Sequence, residues 1–120
     1  MPSRDTVEAF AAEVEGGRFI EAIEGWYTPA ASMAENMSAP RVGRDVLVEG
    51  ERRVMARSKS ITARRSGPIL IDGDHVVIRW VFEFTGEDGA KSALDEVAWQ
   101  RWEGEKIAEE RFFYDPAQMA

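Results

Sequence analysis

Between His75 and Thr85 the chain alternates strictly. Val76, Ile78, Trp80, Phe82 and Phe84 fall on one side of an extended backbone, and His75, Val77, Arg79, Val81 and Glu83 on the other. A row that bulky cannot remain in water, so the chain must build a sheet and cover one of its faces. The same period of two runs through the second half, around 60–71, 75–85, 92–102 and 106–114. Asp72-Gly73-Asp74, Glu87-Asp88-Gly89 and Glu103-Gly104-Glu105 separate the runs and supply the residues that tight turns need. The pattern predicts a four-stranded antiparallel meander. Pro68 cannot donate a ladder hydrogen bond, so a bulge or unpaired edge is expected at Gly67-Pro68.

The cover has to come from the first half, where the period is helical. Asp5-Thr6-Val7-Glu8 has capping-box spacing, and Val7, Phe10, Ala11 and Val14 continue a helix over 5–15. Gly16-Gly17 ends it, and Phe19, Ile20, Ile23, Trp26 and Tyr27 form a second stripe that stops at Thr28-Pro29. Ala31 to Met37 reads as one short strand. After Gly43 a third helix is expected over Asp45–Arg57, with Val46, Leu47, Val54 and Met55 inward and Glu49, Glu51, Arg52, Arg53 and Arg57 toward water. The fold class is α+β: a curled, mostly antiparallel sheet packed on three helices, in one domain over residues 1–120.

Charge and composition narrow the function. With 15 Lys and Arg against 22 Asp and Glu the net charge is −7, which repels nucleic acid and anionic membrane. There is no cysteine and one histidine, so thiol chemistry and cysteine-based metal sites are excluded, and neither a metal nor a cofactor is expected. No stretch approaches a membrane span or a signal peptide, and a cytoplasmic protein is expected.

In chain order, four segments carry a resemblance. They are the paired helices ending in Trp26-Tyr27, the strand Met33-Ala34-Glu35-Asn36, Pro40-Arg41-Val42-Gly43-Arg44-Asp45 before the third helix, and Lys106-Ile107 through Phe113-Tyr114-Asp115-Pro116. Together they resemble the nuclear transport factor 2-like superfamily in its SnoaL-like, polyketide cyclase-like branch. The resemblance implies a conical half-open sheet over helices (the cystatin-like plan), a small-molecule pocket in the cone, and a homodimer formed through sheet faces. It does not imply one chemistry, because the fold hosts isomerases, cyclases, epoxide hydrolases, dehydratases and binding domains. The Asp that serves polyketide cyclases on the last strand corresponds here to Phe112. The Arg and Asp of the epoxide hydrolases correspond to Trp80 and Phe82. The ketosteroid isomerase base on the first short strand corresponds to Glu35 or, one register later, Asn36.

Glu35 is therefore the first candidate for catalysis, since an apolar pocket wall would raise its pKa; otherwise it meets solvent or a nearby Arg. Asn36 could orient a substrate oxygen or satisfy backbone groups in a turn. Pairing by the family pattern places Asp95, Val97 and Trp99 on the concave face and makes Asp95 the second catalytic candidate; a slip of one residue exchanges it for Glu96. Glu110, Phe112 and Tyr114 share a face of the last strand, where Glu110 could instead form a salt bridge with Arg79, Arg101 or Arg111. Tyr27, Trp80, Phe82, Trp99 and Tyr114 are further candidate substrate contacts, or simply core. His75 reads as an exposed turn neighbour. The basic run Arg52, Arg53, Arg57, Lys59, Arg64 and Arg65 reads as a solvated face.

Three functions fit these residues. One is a cofactor-independent cyclase or isomerase in which Glu35 moves a proton on a hydrophobic carbonyl compound while Tyr27 or a Trp N–H stabilises the oxyanion. Another is a dimeric, non-catalytic domain binding an apolar small molecule. A filled cone would leave a structural dimerisation module.

Overall fold

The computed structural model describes residues 1–119. Ser3, not Asp5, caps the first helix: its backbone is extended and its hydroxyl accepts from the Thr6 N–H at 3.1 Å. Asp5 lies one turn inside, where its charge suits the positive end of the helix dipole. Helix α1 is Arg4–Glu15 and α2 is Phe19–Trp26, and Phe10 packs edge-on against Trp26 at 6.4 Å between ring centres.

Tyr27 does not extend the second helix. Its backbone turns extended (φ −107°, ψ 147°), and it opens strand β1, Tyr27–Glu35, which is longer than the short strand the sequence suggests. The extra length is accommodated by an irregularity between Tyr27 and Ser32, where Pro29 stands with no N–H to give the ladder. A two-residue strand that the sequence pattern does not announce, β2 (Arg41–Val42), pairs antiparallel with β1. Helix α3 is Arg44–Ala56. Its inward face keeps the expected Leu47, Val54 and Met55, the last two half-buried, but takes Val48 in place of Val46, which is turned toward solvent.

The second half is the predicted meander, with the break at Gly67-Pro68 dividing its first run into β3 (Ser60–Arg65) and β4 (Leu70–Asp72), both paired with β5 (His75–Thr85). Strands β6 (Lys91–Glu103) and β7 (Lys106–Phe113) follow. Gly73 and Gly104 open their two-residue turns at φ 60° and 59°, a region that a side chain disfavours. The strand order is β2-β1-β7-β6-β5-β3, with β1 and β7 parallel and the other pairs antiparallel. A single 3-10 turn, Pro116–Met119, finishes the described chain. Gln118 clamps it to β6: its side-chain oxygen accepts from the Asp95 N–H at 2.9 Å, and its amide donates to the Asp95 carbonyl at 3.0 Å.

The β5–β6 register decides the site. Val76, Ile78 and Trp80 face the helices and are buried, and they stand opposite Gln100, Ala98 and Glu96. Residues opposed in an antiparallel ladder share a face, so Glu96, Ala98 and Gln100 point inward. Asp95, Val97 and Trp99 must then point out.

Candidate functional site

The concave face and the helices leave a two-chambered cup. Its inner chamber, about 80 Å³, reaches Tyr27, Trp80 and Glu110; an outer chamber of about 400 Å³ opens past Glu35, Glu96 and Tyr114. Phe19, Met33, Glu51, Phe82 and Phe112 border both, so the chambers adjoin. The outer volume lies in the range of small-molecule sites, and its wall is chiefly apolar.

Of the two catalytic candidates, Asp95 is misplaced by the sequence reading. It lies on the outer face, where Arg79 donates to both of its oxygens at 2.9 and 2.6 Å, and these hydrogen bonds hold its carboxyl below the usual range. Trp99 shares that face; it is 50% exposed, and its indole N–H donates to His75 Nδ1 at 3.2 Å. Glu35 does reach the rim of the cup, but Arg41 on β2 closes on it through two hydrogen bonds, one of 2.9 Å. Asn36 has φ 48° and ends β1; its side-chain oxygen accepts from the Tyr114 N–H at 3.0 Å and its carbonyl accepts from Arg111. Asn36 thus takes the turn role and does not line the cup.

Trp80, Phe82, Phe112, Tyr114, Tyr27 and Glu110 do line the cup. Glu110 has no arginine partner. The Tyr27 hydroxyl donates to its Oε1 and the Gln100 amide to its Oε2 at 2.7 Å, while the Trp102 indole N–H donates to the Gln100 side-chain oxygen at 2.9 Å. Glu110 is 4% exposed, and burial pushes it up to about 7 against the opposing pull of those two donors and with a further push from Glu51. Burial and the adjoining Glu110 raise Tyr27 well above its ordinary value. Of the expected oxyanion donors, the Tyr27 hydroxyl and the Trp99 indole are therefore already engaged by other side chains of the protein.

Glu96 is the acid that the sequence reading treated only as a slip of Asp95. It is 7% exposed, it borders the outer chamber, and among the described residues no side chain or backbone N–H donates to its carboxyl. Among the described residues no side-chain polar atom sealed from the surface lacks a partner, so the Glu96 oxygens open to the cup. Burial, with the nearby charges of Glu110, Glu35 and Glu51, raises it to about 8. A fourth acid, Glu51, projects from α3 into both chambers, and burial raises it too. The helix reading had placed Glu51 toward water. Its spacing from Leu47 and Val54, four residues after one and three before the other, is the signal that puts it on the inward face.

The basic run does not form a site. Arg52 pairs with Glu49 on its own helix, Arg65 ties β3 to Glu8 and Glu15 of α1, and Arg57 stands exposed at the rim of the outer chamber. Among the described residues no group of three His, Asp or Glu is placed to hold a metal ion, and no helix is long and apolar enough to cross a membrane.

A curled sheet closing over three helices around an acid-lined apolar cup defines a protein of the nuclear transport factor 2-like type. The chain belongs to the SnoaL-like domain family, whose pattern it matches over residues 7–110. An NTF2-like protein of unknown function from Burkholderia pseudomallei superposes with a TM-score of 0.80 at 16% identity, covering 96% of this chain and 92% of the other. A SnoaL-like protein of polyketide-cyclase type from Mesorhizobium loti gives 0.78 at 22%, covering 95% and 100%. An LEH-like epoxide hydrolase of M. tuberculosis gives 0.77 at 14%, covering 96% and 84%. No curated protein sequence matches the chain.

Proposed function

We propose that the protein is a cofactor-independent acid–base catalyst of the cyclase or isomerase kind, in which Glu96, not Glu35, moves a proton on a hydrophobic carbonyl compound held in the cup. The observation that carries this reading is an almost fully buried carboxyl with no protein donor, opening into an apolar chamber. Such a group is a strong base once ionised, because the wall that raises its pKa also raises its appetite for a proton. Abstraction of the hydrogen next to a carbonyl gives an enolate. Returning that proton to another carbon isomerises the substrate; alternatively the enolate carbon attacks a second carbonyl carbon of the same molecule, whose C=O π bond opens to an alkoxide that takes the proton back from Glu96 as the ring closes.

The enolate oxygen is directed to the inner chamber, where it competes with Glu110 for the Tyr27 hydroxyl proton. Glu96 must be ionised to act, so the catalysed rate should rise with pH and level off above the value of about 8 that burial and the neighbouring acids give it. In deuterium oxide, NMR should show exchange at the α-carbon of a cyclic ketone such as 2-tetralone, accelerated by the protein. Glu96→Gln should lower that rate by about 10²–10⁴-fold. Exchange at the buffer rate across a series of ketones that bind would overturn catalysis and leave the apolar binding domain.

The homodimer implied by family resemblance is proposed on the outer sheet face. Trp99 and Phe113 are exposed there (50% and 38%), beside the Arg79–Asp95 and Arg101–Glu109 pairs that neutralise the neighbouring charge.

A further inference from the structure

The acids of the cup have a common feature that carbonyl chemistry alone does not require. Glu51 and Glu96 face one outer chamber from opposite sides, α3 and β6, and neither has a salt-bridge or hydrogen-bond partner among the described residues. The β5 wall between them contributes only rings, Phe82 and Phe84. The basic groups that approach are both at the rim: Arg41 is already held by Glu35, and Arg57 is exposed. Tyr114 stands beside them from the end of β7, and Glu110 lies deeper. The interior is therefore acidic and aromatic with no cation of its own.

We propose that the guest of this cup carries a positive charge: an organic ammonium on an apolar body, its nitrogen held by Glu96 and Glu51 and its body by the aromatic wall. This rests on the reading of the cup as the site of chemistry and adds the charge of the substrate. A neutral apolar guest would dry the Glu96 carboxyl and give it no donor, which is costly. A cation supplies the missing partner, and the ring faces add cation–π attraction in a site shielded from water. Burial keeps Glu96 protonated in the empty cup near neutrality, so a fixed cation must displace a proton as it enters. Cation binding should tighten as pH rises; binding of a neutral molecule should not.

Benzyltrimethylammonium, its neutral carbon isostere neopentylbenzene, and phenylacetate provide the test, by tryptophan fluorescence and calorimetry from pH 6 to 9. The dissociation constant of the cation should fall about 30-fold or more over that range, with roughly one proton released per cation bound at pH 6 and few at pH 9. Neopentylbenzene should bind no more tightly as pH rises and more weakly once Glu96 ionises, and phenylacetate should bind more weakly than either. Glu96→Gln should reduce the pH effect on the cation to about threefold or less, and Glu51→Gln should weaken the cation without weakening neopentylbenzene. Cation affinity that is flat with pH, no greater than that of the isostere at pH 9, or below that of phenylacetate overturns the inference. If the cation fails while ketone exchange is still catalysed, the acid–base reading stands alone; if the cation behaves as described and no ketone exchanges, the charge of the guest stands and catalysis falls.

Discussion

Glu96 and Glu110 lie on neighbouring strands in nearly the same apolar surroundings, and they differ in what donates to them. Glu110 has Tyr27 and Gln100; Glu96 has open cavity. Tyr27→Phe should therefore push Glu110 above its present value of about 7 and cost roughly 1–3 kcal/mol, read by carboxyl-carbon NMR titration and chemical denaturation. For Glu96 the folded chain holds its proton to about 8, against an ordinary value of 4.5. That contribution to stability is complete below the ordinary value and is lost as pH rises through the folded one. Thermal unfolding should show wild-type stability falling across this window. Glu96→Gln should flatten the fall, gaining on the order of a few kcal/mol at alkaline pH and almost nothing in acid. At this scale the residue types were legible in the chain, but their assignment to chemistry was not. Asp95 and Glu96 are adjacent acids in an alternating strand, and only the partner strand tells which of them is dry.

The elements were easier to read than their ends. Helical and twofold periods are local properties of side-chain spacing, so three helices and the meander could be read directly from the chain. Caps and strand ends depend on which backbone groups find partners. Ser3 outcompetes Asp5 as the cap because its hydroxyl reaches the Thr6 N–H, and Ser3→Ala should cost about 1 kcal/mol in thermal denaturation without altering ligand affinity. β2 escaped notice because two residues carry no period; it exists through its ladder to Ser32 and Met33. The Gln118 clamp is equally invisible in sequence. Gln118→Ala should release the 3-10 turn, raising amide hydrogen exchange at Asp95 by about 30-fold, as expected for two lost hydrogen bonds at about 1 kcal/mol each.

In the whole molecule the sheet does two jobs, one on each face. The inner face makes the cup, and the outer face presents Trp99 and Phe113. If the outer face joins two copies, Trp99→Glu should shift sedimentation from dimer to monomer, since a charge there would be buried against its own image. The affinity of the cup for a guest should change little. The amino-acid sequence by itself determined the α+β plan, the turn positions and the aromatic row of β5, because each is written in spacing along a few neighbouring residues, and it carried the family through the resemblance of segments spread along the whole chain. Which acids share the cup was decided only by tertiary structure. Glu51, Glu96 and Glu110 come from a helix and two strands, and their protonation follows from the water that packing removes and the donors that folding brings.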